Sequence, residues 1–157
     1  MSILFINGSP NKKGNTVALA ERLLKNRDYE TLHLVDYKVY SYGQKFEDDA
    51  FDVILEQMKA GKQVILEIDV QGGFQIREKM PEAHLVFIEP PSMEELEKRL
   101  RGRGTEDDET IARRLKAAEL ELSRKEEYDI RLVNDNLDEA ARKLAAYVDE
   151  QAELARE

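Results

Sequence analysis

Ser2-Ile3-Leu4-Phe5-Ile6-Asn7-Gly8-Ser9-Pro10-Asn11-Lys12-Lys13-Gly14-Asn15-Thr16 opens the chain on the pattern that decides its fold. Ser2–Asn7, with its apolar run Ile-Leu-Phe-Ile, reads as a strand buried on both faces. From Thr16 to Lys25, Val17, Leu19, Ala20, Leu23 and Leu24 recur at helical spacing, so a helix opens directly from the loop. A strand, a glycine-bearing loop and a helix in that order gather backbone N–H groups at the positive end of a helix dipole, a natural anion site. Gly8, Ser9, Pro10, Asn11, Gly14, Asn15 and Thr16 are the candidate phosphate-binding residues. The same residues also suit a purely structural turn with Asn15 or Thr16 as a helix cap. The loop is not a Walker A motif: five residues separate Gly8 from Gly14 instead of four, and Asn15 stands where the lysine belongs.

Beyond the loop, strands and helices alternate. Thr31–Val35 reads as a second strand, Phe46–Lys59 as a helix, and Gln63–Ile68 as a strongly apolar third strand ending at Asp69. Gly61 is a plausible helix C-cap before that strand. Phe74–Lys79 reads as a short helix stopped by Pro81, and His84–Ile88 as a fourth strand closed by Pro90-Pro91. Ser92 suits a helix N-cap with Glu94 and Glu95 in the first turn, and that helix runs to about Arg101. Glu106–Glu127 reads as one long charged helix, Ile130–Val133 as a fifth strand, and Leu137–Leu154 as the closing helix, with Gln151–Glu157 a frayed end. Alternation of this kind predicts right-handed crossovers and a three-layer α/β/α sandwich on a five-stranded parallel sheet. The expected order is the flavodoxin-like 2-1-3-4-5, which would set Asp69 beside the Gly8–Thr16 loop at the switch point.

The 157 residues fit a single domain. The net charge of −9 argues against nucleic-acid and anionic-membrane partners. No run approaches the roughly 18 apolar residues of a membrane span, and no secretory leader is visible. The chain has no cysteine, which excludes disulfides, thiolate metal sites and cysteine nucleophiles and fits a soluble protein of the reducing cytoplasm. His33 and His84 sit inside apolar runs without ligand spacing, and no metal site is expected beyond Asp69 as a weak candidate.

Two family resemblances follow from these motifs. The run Ile-Asn-Gly-Ser-Pro with Gly-Asn-Thr after it, over about residues 1–58, resembles the flavodoxin-like NADPH-dependent FMN reductases, whose corresponding loop binds the FMN phosphate. The loops that hold the isoalloxazine ring in that family have no counterpart here. From about residue 60 to 150, Ile-Leu-Glu-Ile-Asp-Val-Gln-Gly, Phe-Ile-Glu-Pro-Pro-Ser, Arg-Leu-Arg-Gly-Arg-Gly-Thr, Ile-Ala-Arg-Arg-Leu and Leu-Val-Asn-Asp-Asn-Leu-Asp appear in order and resemble the second half of guanylate kinase. That resemblance implies that Arg99, Arg103 and Arg114 surround a transferring phosphoryl group, that Asn134 lies near the adenine of ATP, and that Asp69 lies near the phosphates and Mg²⁺. Exposed helix and loop arginines are the plainer alternative.

The P-loop lysine is missing, and residues 36–59 match nothing of a GMP-binding segment. The resulting expectation is one hybrid domain, with a flavodoxin-like segment at 1–58 and a guanylate-kinase-like segment at 59–150. It is expected to be an engineered, monomeric chimera of the two families and not an enzyme. It requires no cofactor or partner and has at most a weak affinity for FMN, phosphate, another small anion or a nucleotide at the first loop.

Overall fold

A computed structural model describes residues 3–7, 15–33 and 50–155. The elements are β1 (Ile3–Asn7), α1 (Asn15–Leu23), β2 (Tyr29–His33), α2 (Ala50–Lys59), β3 (Gln63–Glu67), α3 (Val70–Lys79), β4 (Val86–Glu89), α4 (Met93–Gly102), α5 (Asp108–Leu122), β5 (Ile130–Val133) and α6 (Leu137–Leu154). A 3-10 turn, Lys125–Glu127, lies between α5 and β5. The chain divides into two compact units, one built from the chain up to Asp69 and again from Leu144 onward, the other from Val70–Lys143.

In the first unit β1 runs parallel to both β2 and β3, with Phe5 opposite Thr31 on one side and Ile65 on the other. Alternation along β1 sends its side chains to two layers. Ile3 and Phe5 pack with Ala20, Leu23 and Leu24 of the α1 region, and Leu144 and Ala145 of α6 join them. Ile6, on the other face, packs with Ile54 of α2. β1 is thus the central strand, and its apolar run is explained by burial on both sides. α2 ends in a left-handed turn: Gly61 takes φ +79°, and the Lys62 N–H donates back to the Gln57 carbonyl at 3.1 Å.

In the second unit β4 and β5 pair in parallel, Phe87 opposite Arg131 and Glu89 opposite Val133. Tyr128 stands edge-on to Phe87 (4.9 Å between centroids) and to Phe74 of α3 (5.7 Å). The Arg124 guanidinium caps the Phe74 ring at 3.8 Å. Asp129 accepts the Leu85 N–H at 2.7 Å and also bonds Arg77, which ties α3 to the start of both strands.

The expected single five-stranded sheet in the order 2-1-3-4-5 is corrected. Among the described residues the strands form two ladders, β2-β1-β3 and β4-β5. A strand reveals its own apolar period but not which neighbour it bonds, so adjacency between β3 and β4 was an import from the flavodoxin pattern.

Candidate functional site

In parallel α/β sheets the carboxyl ends of strands are where ligands meet the chain. At the carboxyl ends of β4 and β5 the second unit carries a connected polar network. Its root is the N-terminus of α4. Ser92 caps it by accepting the Glu95 N–H at 3.1 Å. Glu95 is thereby fixed in the first turn, and four residues on, Arg99 Nε donates to its carboxylate at 3.1 Å. Arg99 Nη1 donates in turn to the Asn134 carbonyl at 2.8 Å, and the Asn134 N–H donates to the Glu89 carbonyl at 2.8 Å. Arg99 and Asn134, singled out separately in the sequence, are therefore in direct contact just past β5.

Glu89 itself ends β4 and is only 7% exposed. Lys125 Nζ donates to its carboxylate at 2.9 Å, and Arg131 Nε lies 3.7 Å from its other oxygen. Arg131 also pairs with Glu126. A buried carboxylate needs such partners, because desolvating an unpaired charge is costly.

The remaining arginines lie where α4 gives way to α5. Arg101 donates to Glu97 at 2.8 Å and to Asp108 at 2.5 Å, joining the two helices. Hydrogen bonding to Asp108, then to Glu97, raises its pKa. Asp107 caps α5 by accepting the Thr110 N–H at 2.7 Å, and the hydrogen bonds from Thr110 lower its pKa. Arg114, half-exposed on α5, forms an ion pair with Glu106, its Nη2 lying 2.7 Å from Oε1. Arg103 follows α4 in a helical conformation, just before Gly104 at φ +62°. Its side chain is exposed and has no side-chain hydrogen bond or ion pair among the described residues.

The other sequence candidates divide in two. Gly8, Ser9, Pro10, Asn11 and Gly14 lie outside the described residues, as do residues 36–49 of the segment 36–59 that matches nothing of a GMP-binding segment. Asn15 and Thr16 open α1. Asp69 is exposed beyond the end of β3 and is engaged by the surrounding protein. Among the described residues no group of three or more His, Asp or Glu is placed to hold a metal ion, and no helix is long and apolar enough to cross a membrane.

Sequence reasoning missed Glu95, Glu89 and Glu106 as members of the network. The spacing Ser92-x-x-Glu95-x-x-x-Arg99 was a usable signal for the first, since it combines a cap with a helical (i, i+4) pair. Glu89 stands in the quoted Phe-Ile-Glu-Pro-Pro-Ser run and Glu106 directly follows Thr105, but their burial and their partners come from the fold.

Parallel strands alternate with helices, and Arg99 reaches the chain just past β5. Comparison with solved structures gives a fold of the same kind. The chain superposes on the crystal structure of guanylate kinase from Anaplasma phagocytophilum with TM-score 0.51 and 22% sequence identity, covering 96% of this chain and 85% of that one. The guanylate kinase family model matches residues 20–151, and the chain belongs to the guanylate kinase family. Among curated relatives, guanylate kinase of Streptomyces coelicolor is 55% identical over 93 residues, which is 59% of this chain and 47% of that protein. The Thermobifida fusca guanylate kinase is 48% identical over 95 residues, 60% of this chain and 48% of that protein. The chain spans about half the length of the curated relatives it matches.

These matches correct three expectations. Nothing supports an FMN-reductase part: the family model takes in residues 20–58 along with the rest. The engineered chimera is likewise overturned, as is the expectation that the chain is not an enzyme, since the relatives at about 50% identity are guanylate kinases. The physical reason is that a short glycine loop after an apolar strand is common to many phosphate-binding α/β proteins. The hydrophobic pattern of α1, β2 and α2 suits either family, so a loop motif a few residues long does not separate them.

Proposed function

We propose that this chain is a phosphotransferase of the guanylate-kinase type, moving the γ-phosphoryl group of MgATP to the phosphate of GMP. The observation that carries this reading is the family match across residues 20–151. The arrangement of the second unit supports it. Phosphoryl transfer asks the protein for positioning and for positive charge around the equatorial oxygens, with little covalent chemistry. Arg114 has the single side-chain partner Glu106 among the described residues, and Arg103 has no competing partner among them. In the proposed role both meet the transferring group. Arg99 is committed to Glu95 and Asn134 and acts by fixing the Asn134 segment, whose side chain meets the base of the donor nucleotide.

Gly8, Ser9, Asn11, Gly14, Asn15 and Thr16 are assigned to the donor phosphates at the start of α1, and Asp69 to the Mg²⁺ side of the nucleotide. Asn15 in the lysine's place removes one charge-assisted donor. Loss of one such donor typically lowers turnover about 10²–10³-fold, so a slow enzyme is expected.

The test is ADP release from ATP with GMP, AMP or UMP as acceptor, using the wild type and Arg103→Ala. GMP-dependent release that falls in the variant supports the assignment. Equal release with every acceptor, or none with GMP, overturns it.

A further inference from the structure

Glu106 stands outside the network around Glu89. It precedes the N-cap of α5, its side chain is 13% exposed, and one oxygen forms an ion pair with Arg114 Nη2 at 2.7 Å. Its second oxygen, Oε2, is buried with no hydrogen-bond partner among the described residues. A carboxylate oxygen left buried and unpaired costs stability. Glu106 therefore sits in a place that stability alone does not favour, while its ion pair goes to a half-exposed arginine with no other side-chain partner among the described residues.

We propose that Glu106 is a positioning residue for Arg114, holding one edge of the guanidinium so that the opposite edge faces a nucleotide phosphate. The proposal rests on the phosphotransferase reading, because it assigns Arg114 a phosphate to face. An unrestrained arginine loses several rotamers when it binds, whereas one clamped by a buried carboxylate has lost them beforehand. Arg103, with no such clamp among the described residues, is the contrasting case.

The experiment measures binding of a fluorescent ribose-labelled ATP to the full chain, with a thermal melt of each variant. Arg114→Ala is expected to weaken binding about tenfold or more, in line with a charged hydrogen bond. Glu106→Gln, which keeps the shape and removes the charge, is expected to weaken it about fivefold while the melting temperature holds or rises. The double variant should bind like Arg114→Ala alone, because Glu106 acts only through that arginine.

If the two losses multiply, or if Glu106→Gln binds as well as or better than wild type while Arg114→Ala is impaired, the positioning role is wrong and the phosphate role of Arg114 stands. If Arg114→Ala binds like wild type, or the wild type does not bind, the phosphotransferase reading fails and takes this proposal with it. If Glu106→Gln does not fold, Glu106→Asp keeps the charge but shortens its reach, and it must show the same loss and the same non-additivity with Arg114→Ala.

Discussion

Replacing Lys125 by methionine should destabilise the second unit, and replacing its partner Glu89 by leucine should not. Glu89 is 7% exposed, with Lys125 Nζ at 2.9 Å and Arg131 Nε at 3.7 Å. Lys125→Met removes the closer cation and leaves a buried carboxylate with one longer contact. Stranding a fully buried charge costs about 3–5 kcal/mol. Lys125 is itself 31% exposed and Arg131 remains, so roughly 2 kcal/mol is the expected loss. For a chain of this size that is about 4–8 °C in melting temperature. Glu89→Leu removes the charge and its desolvation together and should be neutral or stabilising by about 1 kcal/mol. The double variant should recover most of the loss, giving a coupling near 2 kcal/mol in a double-mutant cycle. Urea unfolding of the four proteins reads these values. A Lys125→Met protein as stable as wild type, or a Glu89→Leu protein that loses more than about 2 kcal/mol, would refute the reasoning.

Asp107→Ala removes the cap on Thr110 and should cost about 1 kcal/mol by urea titration, while Asp107→Asn should cost much less. Leu24 is fully buried against β1, so Leu24→Ala should cost about 2–5 kcal/mol, whereas Leu120→Ala, at an exposed position, should cost under about 0.5 kcal/mol. Arg27 and Asp149 bond at 2.6 and 2.8 Å, and the hydrogen bond from Arg27 lowers the Asp149 pKa below its ordinary 3.8. A depressed carboxylate contributes stability above its unfolded pKa and loses it as pH falls through the folded value. Asp149→Asn should therefore narrow the stability difference between pH 6 and pH 3; with Asp149 54% exposed, the change should stay under about 1 kcal/mol. Equal acid sensitivity in both proteins would show that the pair adds nothing.

Elements with one dominant local signal were legible in the sequence. β5 and α6 lie where their apolar period puts them, Ile130–Val133 and Leu137–Leu154, and Ser92 caps α4 as its side-chain chemistry requires. Where two signals compete, the reading slipped. Gly72 and Gly73 look like breakers, yet α3 starts at Val70 and runs through them. A Cβ on Gly73 would meet Tyr128 Oη at 3.1 Å, so this glycine serves a close approach and not a turn. Glu106–Glu127 read as one helix because its charges are continuous, but α5 spans Asp108–Leu122. There Ser123 Oγ donates to the Leu120 carbonyl and the chain turns toward β5. β2 begins at Tyr29, two residues before the expected Thr31, since its register is set by Ile3 opposite Tyr29. The arginines of the site were visible as residue types at family spacing. Their states were not, because whether an arginine is clamped, paired or open depends on carboxylates brought to it by the fold.

The most direct test is to incubate the full chain with ATP carrying a labelled γ-phosphate and with GMP, and to separate the nucleotides over time. A guanylate-kinase-type phosphotransferase produces GDP labelled in its β-phosphate, slowly, in proportion to protein and only when GMP is present. Label that appears solely as inorganic phosphate, or no labelled GDP above a protein-free control at micromolar protein, would contradict the assignment.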